Sequence, residues 1–366
     1  MRAPVRTVVA LVAAAALVGC ATAAGGHRPL TNRLDAALAR AVHRTGSPGA
    51  TAAVVSNGRL IWTGASGRAR PGPNGRMKPR SLVPIASATK TVTATMVMSL
   101  VQRGTLHLGE KLDRTLPRLP AANRITLKTL LNHSSGLVDY FSDGAVDRII
   151  RRQPYHRWTR PQVLAHVTHV RFAPGSHHSY SNSNYVTLGG VLHRATGESV
   201  QHLFRRFVGR PLHLHDSTFR YGGAPQSQFA HPLAVTRHGY RDSIGAHRPM
   251  TTDYWGETWT DGGLATTAAD LARIGNAVYA GRLLSSRTVA EMLPPRPGGW
   301  GLGTFDMRAL GRRWFGHDGL YGGFQTENWT DRRRGVTVVA FANRAGGRTV
   351  SPRIWRAVAA AYGRGG

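Results

Sequence analysis

Ser87 and Lys90 form the strongest chemical signal in the sequence, a Ser-x-x-Lys pair that opens an apolar segment. Val92, Met96 and Leu100 follow at helical spacing, which predicts a helix starting near Ser87. Side chains three residues apart share one helix face. A serine hydroxyl becomes a useful nucleophile when a base lies within hydrogen-bond reach, and lysine can be that base if burial lowers its pKa from about 10.4. Taken alone, the pair is more often a capping serine beside a solvated lysine, so the rest of the chain must supply partners.

Tyr180 and Asn182 form a second pair, in a polar segment just before another predicted helix. In an extended stretch, residues two apart point to the same side. A phenol can pass a proton, and an amide can both hold a substrate carbonyl and orient a lysine. A loop tyrosine followed by a helix-capping asparagine remains an alternative interpretation.

The third candidate segment is His317-Asp318-Gly319-Leu320, which follows a predicted strand at residues 313–315. A strand edge can offer a substrate both a polar side chain and a backbone N–H. His-x-Gly also occurs at His107, so the tripeptide alone carries little weight. Its position after a strand and before the glycine pair at 322–323 favours a functional interpretation.

Taken together and in this order, the three motifs resemble the penicillin-recognising serine hydrolases of the class C β-lactamase and D-alanyl-D-alanine carboxypeptidase type, which include related esterases. Four flanking stretches resemble the same family: ITLKTLLNHSSGL at 125–137, YSNSNYVTLG at 180–189, GGLATTAADL at 262–271 and VTVVAFAN at 336–343. The resemblance covers roughly residues 32–362.

The resemblance implies a hydrolase in which Ser87 attacks a carbonyl and forms an acyl-enzyme. Lys90 and Tyr180 would complete the catalytic set by moving protons. The backbone N–H groups of Ser87 and Leu320 would form the oxyanion hole. The implied substrate-binding positions are Asn182, His317, Asp318 and Gly319. No metal and no cofactor is implied.

The implied fold is an α/β (α+β) arrangement, with an antiparallel sheet flanked by helices beside an all-helical subdomain. The residue pattern agrees, because β-rich runs occur at both chain ends and the middle, roughly 106–262, looks helical. Asn57-Gly58 between two β-rich runs is a strong hairpin signal. Asn32 is expected to cap the first helix, and the hydrolase domain is expected to span 32–365.

The first twenty residues have the pattern of an export signal, with a basic start and a short apolar run from 8 to 18. They end in Leu17-Val18-Gly19-Cys20, which resembles a bacterial lipobox, and Cys20 is the only cysteine. We therefore expect a lipoprotein signal peptide at 1–20, a lipid on Cys20, a tether at 21–31 and a protein held on the outer face of the cytoplasmic membrane. Ordinary cleavage near residue 23, giving a secreted enzyme, is the alternative.

The formal charge of +30 comes from 48 basic and 18 acidic residues, and all but four of the basic residues are arginine. Such an arginine excess, with abundant Ala and Gly, is typical of coding bias, and we expect no nucleic-acid binding. Loose attraction to an anionic cell-wall polymer or a membrane surface is more plausible. The seventeen histidines lack the spacing of a zinc site.

The substrate is left open as an ester, a peptide or a β-lactam, and the oligomeric state is also open. Relatives of this type usually carry a hydroxyl residue on each side of the glycine of the third motif, where this chain has Asp318 and Leu320. We therefore expect substrates with a carboxylate at that position to be poor and neutral or cationic ones to be better. The opposite outcome follows if Asp318 turns away to pair with an arginine.

A true β-lactamase, or a non-catalytic cell-envelope binding protein on the same fold, remains an alternative function. The loop 250–260, with Tyr254, Trp255 and Trp259, is a candidate wall of the substrate cleft.

Overall fold

A computed structural model describes residues 27–219, 224–245, 248–251 and 256–364 of the chain. The predicted signal segment with Cys20 lies outside the described residues, as do Tyr254 and Trp255. Within the described ranges, no helix is both long and apolar enough to cross a membrane.

A six-stranded antiparallel sheet forms the centre of the fold, in the order β2-β1-β10-β9-β8-β7. Its strands are β1 Gly49–Ser56, β2 Arg59–Gly67, β7 Phe305–Ala309, β8 Arg312–Tyr321, β9 Phe324–Asp331 and β10 Val336–Ala342. The first two strands come from one end of the chain and the other four from the opposite end. The predicted sheet built from both chain ends is therefore confirmed.

The predicted hairpin at Asn57-Gly58 is also confirmed, and it joins β1 to β2. Both residues have positive φ, 47° for Asn57 and 82° for Gly58. Two-residue turns of this kind match the twist of the flanking strands, and Asn followed by Gly adopts them with little strain.

Helices cover both faces of the sheet. On one face, α1 His27–Thr45 and α11 Ser351–Gly363 pack on β1 and β10, and the indole N–H of Trp355 donates to the Val338 carbonyl at 3.0 Å. The first helix already begins at His27, so Asn32 lies inside it and does not cap it. Residues 27–31, which we expected in a tether, are helical because Leu30 packs beside the buried Leu34.

The opposite face carries the main core and three further helices. These are α2 Thr89–Gln102, α9 Ala268–Tyr279 and α10 Ser286–Met292. Helix α2 is buried along almost its whole length, and α9 packs on β1 and β10. The N-terminus of α2 is thereby fixed between the sheet and the helical part of the chain.

Between β2 and α9 the chain is mainly helical. The helices are α3 Leu127–Leu131, α4 Gly144–Arg152, α5 Arg160–Ala165, α6 Ser183–Thr196, α7 Val200–Phe204 and α8 Trp259–Gly262, with short 3-10 turns at Leu112–Arg114, Tyr140–Ser142, Gln226–Gln228 and Gly256–Thr258. Thr126 and Thr159 cap α3 and α5 through capping boxes, as their sequence patterns predict.

The expectation that this middle region is all-helical needs a correction. Strands β4 Leu233–Thr236 and β5 Gly239–Asp242 form a hairpin there, and β11 Arg344–Ala345 joins it in a small sheet. Gly239, with φ of 112°, permits the tight turn, and Leu233 is buried. The strands are only four residues long, too short to give a clear alternating pattern in the sequence.

Candidate active site

Ser87 lies where an extended segment turns into a helix. Strand β3 Val83–Pro84 pairs with β6 Ala265–Thr266, a 3-10 turn Ala86–Ala88 follows, and α2 continues from Thr89. Ala86 has φ of 49°, a conformation that costs a non-glycine residue about 1–2 kcal/mol. This turn leaves the Ser87 side chain partly exposed. Among the described residues, no acceptor takes the Ser87 backbone N–H, which leaves that donor available to an oxyanion.

Lys90 is fully buried directly behind the serine. Its Nζ lies 3.1 Å from Ser87 Oγ, 2.7 Å from Asn182 Oδ1 and 2.8 Å from the Asp261 carbonyl oxygen. The amide and carbonyl oxygens only accept hydrogen bonds. When the amine is neutral, they fix its two protons, and the lone pair points along the remaining direction, towards Ser87. This geometry suits a general base acting on the serine hydroxyl.

Burial lowers the pKa of Lys90 to about 8, although the nearby carboxylates Asp261, Asp139 and Asp318 partly raise it again. An amine with such a pKa is neutral in a useful fraction of molecules near neutral pH. An ordinary surface lysine, with a pKa of about 10.4, is almost entirely protonated there. The burial of Lys90 therefore gives the lowered lysine pKa that a base in the Ser-x-x-Lys motif requires.

Asn182 is held in the orientation that presents its oxygen to Lys90. Its side-chain N–H donates to Asp139 Oδ2 at 2.9 Å, and its backbone N–H donates to the same oxygen at 3.1 Å. The other Asp139 oxygen caps the 3-10 turn Tyr140–Ser142 through the Phe141 N–H. Because Asp139 accepts from the amide nitrogen, Asn182 Oδ1 must face Lys90. Asp139 is thus a positioning residue for the lysine.

We predict that Asp139→Ala lowers kcat for an ester substrate about ten- to a hundredfold, because the Asn182 amide is free to turn its N–H groups towards Lys90. The pH profile should also shift to lower apparent pKa, since the lost carboxylate normally raises the pKa of Lys90. Steady-state kinetics across pH measure both effects.

Asp143→Ala is the matched control. Asp143 also caps a helix, by accepting from the Ala145 N–H at 2.8 Å, but it does not contact Asn182. Each substitution should cost about 1 kcal/mol of folding stability through the lost cap, whereas only Asp139→Ala should change the pH profile. Equal kinetic losses in the two variants would mean that Asp139 is only structural.

Tyr180 lies over the amine, with Lys90 Nζ 5.0 Å from its ring centroid. The residue is partly exposed, but its hydroxyl is buried and makes no well-aligned hydrogen bond to any described residue. Burial raises the pKa of Tyr180 well above its usual value, and the nearby Ser87 side chain opposes this in part. The phenol therefore keeps its proton at neutral pH, so Tyr180 is suited to donate a proton and Lys90 to accept one.

His133 supports Tyr180 from behind, and sequence reasoning missed it. The two rings stack with centroids 4.4 Å apart. His133 Nδ1 accepts from the Ser181 backbone N–H at 3.2 Å and lies 3.1 Å from Asn184 Nδ2. Burial and the neighbouring Lys90 hold the pKa of His133 well below its usual value. The imidazole ring is therefore neutral and adds no positive charge beside Lys90.

The third motif forms an open strand edge facing Ser87. Strand β7 pairs with β8 only as far as Gly316, so the rest of β8 lacks a neighbour on that side. A Cβ at Gly319 would lie 2.2 Å from the Ile85 carbonyl oxygen, so only glycine permits this close approach. Ser87 and Leu320 line one cleft of about 140 Å³. The structure therefore brings the two proposed oxyanion-hole residues to the same cleft.

His317 lies within β8 and not at its end, because the strand continues to Tyr321. Its Nδ1 donates to the Asp318 carbonyl oxygen at 2.5 Å, and its buried Nε2 makes no hydrogen bond to any described residue. Asp318 pairs with no arginine in the described part of the chain. Its side chain is 64% exposed, with Oδ1 3.6 Å from His317 Nδ1, and the histidine lowers the pKa of its carboxyl. Asp318 is therefore ionised at neutral pH.

Two buried acids lie beside the cleft, Asp261 in its lining and Glu257 next to the lining residues Thr258 and Tyr321, and neither was a sequence-based candidate. Tyr140 donates to Asp261 Oδ2 at 3.0 Å, and Tyr321 donates to Glu257 Oε1 at 2.6 Å. Burial raises the pKa of both carboxyls, that of Asp261 well above its usual value. Asp261 also supplies the backbone oxygen that binds Lys90. Its position before a glycine pair gave no signal, because the contact depends on the fold and uses a main-chain atom.

The described residues contain no group of three or more His, Cys, Asp or Glu side chains arranged to hold a metal ion. The adjacent pair His177 and His178 lies exposed on a loop, where His177 Nδ1 is 2.9 Å from Ser176 Oγ and His178 Nδ1 is 2.9 Å from the Asn132 carbonyl oxygen. The side chains that converge on the Lys90 amine constitute the candidate active site: Ser87, Lys90, Tyr180, Asn182 and the third motif.

Similarity to known proteins extends over most of the chain. The family model described as Beta-lactamase matches residues 34–363. Escherichia coli K12 D-alanyl-D-alanine-carboxypeptidase/endopeptidase AmpH is 33% identical over 48% of this chain and 46% of its own length. Esterase EstB of Burkholderia gladioli is 33% identical over 52% of each chain. The chain thus spans about half the length of the curated relatives it matches.

Among solved structures, the D-amino acid amidase of Ochrobactrum anthropi SV3, complexed with D-phenylalanine, is similar throughout. It superposes with a TM-score of 0.77 at 25% identity, covering 91% of this chain and 99% of the amidase. The fold, an antiparallel sheet with helices on both faces beside a mainly helical region, is therefore one that solved enzymes share.

Proposed function

The chain belongs to the beta-lactamase family, and on that premise we propose that it is a serine acyl-transfer hydrolase that cleaves esters or amides through a Ser87 acyl-enzyme. One observation carries the proposal: the buried amine of Lys90, with its pKa lowered to about 8, lies 3.1 Å from the Ser87 hydroxyl. Turnover of a p-nitrophenyl ester by the purified protein, lost when Ser87 is replaced, is the experiment that tests it.

In the proposed acylation step, neutral Lys90 takes the Ser87 proton while Oγ bonds to the carbonyl carbon. The backbone N–H groups of Ser87 and Leu320 stabilise the oxyanion, and such donors contribute roughly 3–4 kcal/mol each. Tyr180 protonates the leaving group as the carbon–leaving group bond breaks, and the Lys90 ammonium returns a proton to Tyr180. Water then hydrolyses the acyl-enzyme by the reverse proton path. This chemistry uses no metal and no cofactor.

We further propose that the preferred substrates are neutral or cationic, such as amides or esters that carry a free amine. The carboxylates of Asp139 and Asp318 both act on the Lys90 site, although the chain as a whole has 48 basic and only 18 acidic residues. The local excess of carboxylates favours a positive group and opposes a negative one. The esterase and the D-amino acid amidase among the relatives named above fit this class, so the local charge at Asp318 carries the preference over β-lactams.

Asp318→Thr tests the charge preference. A carboxylate about 4 Å from Asp318 is disfavoured by about 1 kcal/mol in water and about 4 kcal/mol at lower effective dielectric. The 64% exposure of Asp318 favours the lower value, so acylation by penicillin should rise about fivefold in the variant. Hydrolysis of a neutral ester should change little.

Glu291→Gln removes one negative charge from α10 and serves as the control, and it should not alter penicillin acylation. Efficient cleavage of a peptide ending in D-Ala-D-Ala by the wild type, with no gain in Asp318→Thr, would contradict the charge argument while leaving the serine chemistry intact.

For localisation we propose export with a lipid on Cys20, on the sequence pattern alone, since that residue lies outside the described part of the chain. One acyl chain binds membranes only weakly, so stable retention needs at least two. Mass spectrometry of the mature protein should find a lipidated N-terminus at Cys20. An unmodified N-terminus near Ala24 would instead describe a secreted enzyme.

A further inference from the structure

A second cleft, of about 780 Å³, lies at the far end of the sheet from the active site. It is bounded by the β7–β8 hairpin, the β9–β10 turn and the loop that carries Leu293 and Pro297. Arg312 on its wall and His317 in the active site are five residues apart on β8, which corresponds to roughly 17 Å along the strand. This arginine cleft is therefore separate from the Ser87 site.

Six arginines line the arginine cleft against a single carboxylate, that of Asp331: Arg308, Arg312, Arg313, Arg332, Arg333 and Arg334. The volume lies within the range of ordinary ligand sites, about 300–1,000 Å³. So many guanidinium groups in one concavity repel one another unless an anion is present. The charge of the cleft therefore predicts a polyanionic ligand.

Three of these arginines are held in place by the protein and form a fixed wall. Arg313 donates to Asp306 at 2.7 Å and lies 4.7 Å over the Phe315 ring. Arg332 donates to the Tyr279 carbonyl oxygen at 3.1 Å, and Arg312 lies 3.9 Å from Asp331. Guanidinium groups fixed in this way lose little entropy when they bind a ligand.

The other three, Arg308, Arg333 and Arg334, are exposed. Within the described ranges, their guanidinium groups form neither an ion pair nor a hydrogen bond. Arg308 lies near the end of β7, Arg333 and Arg334 lie in the β9–β10 turn, and all three line the same cleft. Their charges are therefore available to a ligand that occupies the cleft.

We propose that the arginine cleft binds a linear phosphodiester polymer without bases, such as a polyol phosphate chain. Guanidinium forks match the paired oxygens of phosphate, and a phosphodiester backbone presents such oxygens at regular intervals. Phe315, the aromatic residue in the lining, is buried under Arg313, so the cleft offers no platform for stacking nucleic-acid bases. A concave cleft also fits a single chain better than the plane of a membrane.

The test compares two triple variants of the full-length protein by binding of a fluorescent oligo(glycerol phosphate). Arg308→Ala/Arg333→Ala/Arg334→Ala should weaken binding at least about tenfold and reduce the slope of log K against log salt by about 2. The control Arg40→Ala/Arg353→Ala/Arg356→Ala removes the same charge from exposed positions on α1 and α11, and it should leave both values close to wild type. Ester turnover should be unchanged in both triple variants.

Equally weakened polymer binding in the two triple variants would contradict the assignment of the arginine cleft as the binding site, because it would mean that net charge alone attracts the polymer. Single-stranded DNA of equal phosphate number and phosphatidylglycerol vesicles are the competing ligands. If either binds more tightly than oligo(glycerol phosphate), with the same dependence on the three arginines, the assignment of the ligand class is wrong.

Discussion

Replacing Ser87 with alanine is expected to lower ester hydrolysis by at least about ten-thousandfold, the scale seen when a catalytic nucleophile is removed. Ser87 lines the cleft, and its hydroxyl oxygen lies 3.1 Å from Nζ of the buried Lys90, where it can act as the nucleophile. Without it, the oxyanion donors and the cleft remain, but no covalent intermediate forms. Turnover and labelling by a fluorophosphonate probe should disappear together.

Ser99→Ala is the matched control for this prediction. Ser99 lies on the same helix, is buried, and donates its hydroxyl to the Thr95 carbonyl oxygen at 2.8 Å. It should retain full activity and full labelling. Both variants should unfold at temperatures close to wild type, since the Ser87 hydroxyl is partly exposed. Undiminished turnover in Ser87→Ala would end the nucleophile assignment.

Lys90→Met is expected to reduce kcat by about a hundred- to ten-thousandfold, the contribution of a general base. Methionine fills a similar volume but offers no lone pair to the Ser87 proton. It also leaves Asn182 Oδ1 and the Asp261 carbonyl without their donor, which costs about 1–3 kcal/mol for each buried acceptor. A loss of folding stability of about 2–6 kcal/mol for the two acceptors, measured by thermal unfolding, should therefore accompany the loss of activity. Lys128→Met, at an exposed position of α3, is the control.

Lys90→Arg distinguishes the role of Lys90 as a proton acceptor from its role as a positive charge. Arginine keeps the positive charge but cannot lose its proton, so we expect it to be inactive as well. In the wild type, kcat/KM should rise with pH through about 8, because the neutral amine is the reactive form. At pH 7 only about a tenth of the molecules are neutral at Lys90. Substantial activity in Lys90→Arg, or a pH profile flat from 6 to 9, would contradict the base assignment.

Much of the fold could be predicted because local signals agree with the tertiary structure. Asn57-Gly58 specifies a two-residue turn, and Thr126 and Thr159 specify helix starts. The small hairpin at residues 233–242 could not be predicted, since its strands are too short to show an alternation of apolar and polar residues. The helix start at His27 was also missed, because no capping residue marks it and tertiary packing of Leu30 overrides the weak local preference.

The site was predictable wherever a motif contains the reacting side chain. Ser87, Lys90, Tyr180 and Asn182 come from distant parts of the chain, and the structure brings them together. Asp139 and His133 were missed because they act through another residue, one on Asn182 and one on Tyr180. Asp261 was missed because its contact with Lys90 uses a main-chain oxygen, which no side-chain pattern reveals.

Trapping the acyl-enzyme tests the central claim most directly. The protein is mixed with a p-nitrophenyl ester whose acyl group is hydrolysed from the enzyme slowly. The reaction is quenched in acid within the first turnover, and the protein is digested for peptide mass spectrometry. The account predicts one acyl adduct, on the peptide that contains Ser87, whose amount matches the burst of released p-nitrophenol. Steady turnover with no adduct on Ser87, or with an adduct on another residue, would contradict it.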